Sequence, residues 1–114
     1  MSYYETRENH RKEELRTRYF ISTMENMIDV ITATAEYLGY RVLNKNMTYH
    51  EIFIEGDCSM VITVTSFGRE QGVDINCDTY RFIDFGKGKR RIREFYIELG
   101  KRVALKGVGL HVAG

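Results

Sequence analysis

The stretch EIFIEGDCSMVITVTSF, Glu51–Phe67, decides how this chain is read. Ile52 and Ile54, then Met60, Ile62 and Val64, alternate with other residues at the period of two that a half-buried strand requires. Gly56, Asp57 and Cys58 interrupt the alternation, so two strands joined by a turn follow. The length of that turn fixes their register. A two-residue turn at Gly56-Asp57 sets Glu51 opposite Ile62, whereas a three-residue turn sets Ile52 opposite Ile62 and Ile54 opposite Met60. A slip of one residue carries a whole face out of the core, so the three-residue turn is the expectation.

Working outward, YRVL (Tyr40–Leu43) and VDINCDTYRF (Val73–Phe82) continue the strand-type composition with Val and Tyr in both and Ile, Thr and Phe in the second, and the separators NKN and GREQG mark turns. A four-stranded antiparallel meander is predicted between Tyr40 and Phe85. Its core face is Tyr40, Val42, Ile52, Ile54, Met60, Ile62, Val64, Val73, Ile75 and Cys77. The opposite face carries Leu43, Met47, Tyr49, Glu51, Phe53, Val61, Thr63, Asp74, Asn76 and Asp78, a mixture where a solvated face would alternate to polar residues. A four-residue loop, Gly68–Gln71, places Cys77 across from Ile62 with Cys58 in the preceding turn. No intramolecular disulfide is expected.

Helices flank the meander in this reading. Ser22 three residues before Glu25 is a capping-box pattern, and Gly39 suits the end of the helix it starts. Met24, Met27, Ile28, Ile31, Ala35 and Leu38 form its apolar stripe, widened by Val30, Ala33 and Tyr37 beyond what one sheet covers. Residues 5–20 pair Glu8 with Lys12 and Glu14 with Arg18 at i,i+4, which predicts a short helix. A last helix is expected from Lys89 to Leu105, with Ile92, Phe95, Tyr96, Leu99 and Val103 inward. The tail VGLHVAG alternates in the manner of an edge strand. The predicted class is α+β: a two-layer sandwich of an N-terminal helix or two, the meander and a C-terminal helix. Its organisation is a charged segment 1–21, one domain 22–106 and the tail 107–114.

A chain of 114 residues with 43% hydrophobic residues sustains one core and is too short for two ordinary domains. The N-terminal MSYYETRENHRKEEL has no apolar run, and no later stretch reaches bilayer length, so a cytoplasmic protein without membrane contact is expected. Cys58 and Cys77 match neither a CxxC pair nor zinc-ligand spacing. At a net charge of +1 there is no global pull toward polyanions, so any electrostatic signal is local.

That local signal is FGKGKRRIREF, Phe85–Phe95, with Lys87, Lys89, Arg90, Arg91 and Arg93 at a helix start, where positive charge opposes the helix dipole. Free N–H groups beside glycines bind anions readily, so these five cations form a candidate anion site, against the plainer reading that they splay into water. Ile97 points away from the core stripe among Arg90, Arg93 and Lys101, as a contact residue would. Leu43, Tyr49, Phe53 and Val61 are the corresponding candidates on the outer sheet face. The spacing is that of neither a P-loop nor a dinucleotide-binding loop, and no GxSxG, HExxH or Cys-His arrangement is present. Glu51, Asp74 and Asp78 read as solvated carboxylates rather than a metal site. No catalytic residue, metal or cofactor is predicted.

Two functional classes remain. One is a small non-enzymatic binding or regulatory module meeting an anionic partner (nucleic acid, a phosphorylated ligand or an acidic protein) through residues 87–93. The other is a self-associating module, with a homodimer expected from the wide apolar arc of the first long helix and the half-apolar sheet face.

Overall fold

The computed structural model describes residues 3–80 and 83–109. Within them seven strands form one antiparallel sheet: β1 (Tyr3–Glu5), β2 (Arg18–Ile21), β3 (Arg41–Asn46), β4 (Glu51–Glu55), β5 (Ser59–Phe67), β6 (Glu70–Asp78) and β7 (Ala104–Val108). Their order is β3-β4-β5-β6-β2-β7, with β1 pairing the far end of β6 beside β2. Helices α1 (Met24–Tyr37) and α2 (Lys87–Gly100) pack on each other and on one face of this sheet.

The α+β class stands, but the four-stranded meander with an N-terminal helix does not. The meander is β3 to β6, and three further strands extend it. Where a helix is predicted at 5–20, the chain forms β1, a single 3-10 turn at Glu13–Leu15 and β2. The i,i+4 charge pairs there offer only about 0.2–0.5 kcal/mol each. Pairing against β6 instead buries Tyr19 and Phe20 on opposite faces of the sheet, and a fully buried aromatic is worth several times more. The last helix stops at Gly100 rather than Leu105, and the freed residues Ala104–Val108 become β7 along β2, with Leu105 opposite Phe20. Part of the predicted tail strand, Leu110–Gly114, lies outside the described residues.

The register at the opening stretch is as expected, with Ile52 opposite Ile62 and Ile54 opposite Met60. Between β5 and β6 it is not. Gly68 adopts φ 73°, which closes a two-residue Gly68-Arg69 turn and sets Phe67 opposite Glu70 and Ile75 opposite Ile62. The shift from the predicted pairing is two residues, so each side chain keeps its face while its neighbour changes. Cys77 therefore lies opposite Met60, and its sulfur comes within 3.3 Å of the Cys58 sulfur, both thiols free and buried.

Helix α1 starts one residue later than the capping box implies. Thr23 is the cap, its hydroxyl accepting from the Asn26 N–H at 3.1 Å, while Ser22 accepts from the Asn26 side chain. No helix among the described residues is long and apolar enough to cross a membrane.

Candidate binding groove beside α2

The head of α2 shows what the five clustered cations do. Gly86 takes the left-handed conformation at φ 79° and delivers the chain into the helix. Asp84 then folds back over the helix start. Its Oδ1 accepts from the Gly86 N–H at 2.9 Å and the Tyr4 hydroxyl at 2.8 Å, and its Oδ2 from the Thr79 hydroxyl at 3.0 Å and the Gly88 N–H at 3.3 Å. Burial alone would raise this carboxyl, yet these four donors outweigh it and hold the group below the usual carboxylate range. The amino-terminal dipole of α2 thus carries the chain's own anion.

Most of the basic side chains are also paired. Lys87, 9% exposed, reaches Asp57 Oδ1 at 2.7 Å, and Arg91 Nη2 reaches Asp57 Oδ2 at 2.8 Å, so the β4–β5 turn is clamped to the helix head. Hydrogen bonds from Lys87 first and Arg91 second depress the Asp57 carboxyl. Lys89 faces Glu14 at 3.4 Å, and Arg90 donates to the Phe85 carbonyl at 2.7 Å. Among the described residues Arg93 alone of the five has no such partner.

Arg93 turns instead toward a groove of about 380 Å³ between α2 and the edge strand β7. Ile97, Leu105 and Val108 make its apolar lining, and Arg18, Arg93 and Lys101 stand round it. Arg18 and Leu105 share the helix face of the sheet, because Arg18 pairs with Val108 and Phe20 with Leu105. The Arg18 guanidinium lies 4.9 Å over the Tyr96 ring, whose hydroxyl donates to the Val73 carbonyl at 2.6 Å. Lys101 also contacts Glu98 at 2.7 Å, a pair on the helix's exposed side. Ile97 and Leu105 are each about half exposed, at 55% and 49%. Among the described residues β7 has a strand neighbour on one side only.

Of the residues singled out in the sequence, Arg93, Ile97 and Lys101 come together here, whereas Lys87, Lys89, Arg90 and Arg91 are engaged at the helix head. Arg18, Leu105 and Val108 were missed because the segments carrying them read as helix or tail. The run TRYFI, Thr17–Ile21, was the available signal for a strand at Arg18. On the opposite sheet face Phe53 and Val61 are a half-buried cross-strand pair, while Leu43 sits in a β3 bulge and Tyr49 in the β3–β4 turn, both exposed. Glu51 and Asp74 lie on either side of Thr63 across the sheet, and no group of three metal-ligating side chains occurs among the described residues. No family model matches the chain, and neither a curated protein nor a solved structure matches it.

Proposed function

We propose that the protein is a small non-enzymatic binding module whose groove beside α2 takes an acidic, amphipathic segment of a partner protein. One observation carries this reading: Arg18, Arg93 and Lys101 surround half-exposed aliphatic side chains, so a ligand with carboxylates flanking an apolar residue complements both the charge and the floor. The open edge of β7 offers backbone N–H and C=O groups to such a segment in extended form. Nucleic acid fits less well. The floor is aliphatic, and the Tyr96 face on which a base would stack is covered by Arg18. Two buried thiols left unlinked at 3.3 Å suit a reducing, cytoplasmic setting.

The test is a calorimetric titration with four probes at low and physiological salt: a peptide alternating Glu and Leu, poly-glutamate, single-stranded DNA and heparin. The peptide is expected to bind most tightly and to lose least affinity with salt, since apolar contact supplements charge. Equal affinity for all four, scaling with their charge alone, contradicts the reading.

A second reading, homodimerisation, draws on a different observation. Leu43, Met47 and Tyr49 are exposed together along the other sheet edge, β3 and its turn. Sedimentation at micromolar concentration checks it, and Leu43→Ser with Tyr49→Ser is expected to dissociate any dimer formed there.

A further inference from the structure

The face of the sheet away from the helices holds a second cleft, of about 380 Å³, where the chain between β1 and β2 crosses the ends of β5 and β6. Asp74 lies at its base. Its Oδ1 accepts from the Thr6 hydroxyl at 2.7 Å and the Thr17 hydroxyl at 2.6 Å, which fixes the carboxylate. Oδ2 accepts no hydrogen bond among the described residues. Thr63, opposite Asp74, and Thr65, opposite Gly72, bring hydroxyls to one wall. The other wall is aromatic: Tyr19 and Phe67 lean together with ring centres 5.9 Å apart over Gly72, where an added methyl would come within 3.1 Å of one ring and 3.3 Å of the other. The Tyr19 hydroxyl hydrogen-bonds Glu8, a second carboxylate lining the cleft.

We propose that this cleft is a binding site for an organic cation, an ammonium or guanidinium group. A carboxylate oxygen free to accept, hydroxyl oxygens on one wall and aromatic rings on the other are the three kinds of group such a cation contacts, and few other ligands use all three. A metal ion is a poorer match, because the described residues bring no third carboxylate, His or Cys into range. Burial, aided by Glu8 and Glu5, raises the Asp74 carboxyl despite the two threonine bonds, and a bound cation would offset that rise by stabilising the ionised form. Arg7, also lining the cleft and without an ion-pair partner among the described residues, is a competing charge. The cation is carried either by a free amine or by a Lys or Arg side chain of a partner.

Amide-resolved NMR titration of the whole chain distinguishes these sources. The probes are n-butylammonium, n-butylguanidinium, a hexapeptide with one internal Lys, and neutral butanamide. Saturable shifts are expected at Thr6, Thr17, Thr65, Gly72 and Asp74 with the cations and none with butanamide. Asp74→Asn, which keeps an acceptor for both threonines, is expected to weaken binding at least tenfold, and Arg7→Ser to tighten it two- to fivefold. Thr65→Lys, at an exposed position, blocks the cleft with its own ammonium and is the alternative if Asp74→Asn fails to fold. Tighter binding of the peptide than of the free amines assigns the cation to a partner; equal binding assigns it to a small molecule. Shifts that stay linear, spread over the surface, or persist unchanged in both Asp74→Asn and Thr65→Lys overturn the proposal.

Discussion

At the head of α2, Lys87 and Arg91 close on Asp57 at 2.7 and 2.8 Å, whereas two residues further on, round the opposite side of the helix, Arg93 meets no carboxylate among the described residues. The two regions are built from the same side chains. What separates them is what the fold brings near. The β4–β5 turn supplies Asp57, the strand-to-helix connection supplies Asp84, and the 3-10 turn supplies Glu14, all to the head. To the flank, β2 and β7 supply another cation, Arg18, and an apolar floor. The head cations are therefore structural, because carboxylates converge on them, whereas on the flank Arg93 has no carboxylate partner among the described residues and Lys101 is the cation that is ion-paired, with Glu98.

The largest expected effect breaks the head. A methyl at position 88 would lie 2.2 and 2.5 Å from carbons of the Tyr4 ring, far inside contact distance. Gly88→Ala must displace β1 from the helix or shift the helix start, and a loss of about 3 kcal/mol is expected in urea unfolding, at the upper end for overpacking. Next is Asp57→Asn, which leaves the 9%-exposed Lys87 and also Arg91 without their carboxylate. A loss of about 1–2 kcal/mol is expected, since the carboxamide oxygen still accepts but the buried Lys87 ammonium loses its counter-charge. Thermal unfolding of the two variants at one pH checks both values.

Acid sharpens the same contrast. The folded Asp57 and Asp84 carboxyls lie below their ordinary value, so the folded state binds fewer protons than the unfolded chain. Their stabilisation is complete above about pH 4, the unfolded carboxyl value, and is lost as pH falls through the depressed folded values. Asp57→Asn is expected to flatten part of that acid limb, whereas Arg93→Ser with Ile97→Ser, which touches no paired carboxylate, leaves it unaltered. Unfolding curves between pH 5 and pH 2 are the measurement. The smallest stability effect belongs to Arg93→Ser with Ile97→Ser, expected within about 0.5 kcal/mol of the parent because neither side chain is buried or paired.

The sequence allowed the inner meander to be read because its evidence is local. The alternation through Ile52, Ile54, Met60 and Ile62 and a three-residue turn at Gly56–Cys58 were enough to set β4 against β5 correctly. The outer strands were not legible in that way. Arg18–Ile21 and Ala104–Val108 are short and follow charged or helical stretches, and their strand state depends on partners distant in the chain, β6 and each other. The β5–β6 turn was misjudged by two residues, an error that parity cannot detect because every face is preserved. The groove inherits these limits. Its α2 residues follow from helical spacing, while Arg18, Leu105 and Val108 enter only through the pairing of β2 with β7. The Asp84 cap on the helix head was likewise hidden, since its donors Tyr4 and Thr79 come from separate strands and connections.

The central claim is that the flank of α2, not its cation-rich head, is the binding surface. Fluorescence anisotropy of a labelled Glu-Leu alternating peptide tests it most directly, titrated against the parent, the flank variant Arg93→Ser/Ile97→Ser and the head variant Lys89→Ser/Arg90→Ser. The account predicts at least a tenfold loss of affinity for the flank variant with its unfolding midpoint unchanged, and a loss of threefold or less for the head variant. Equal losses in the two variants, or a larger loss at the head, would contradict it.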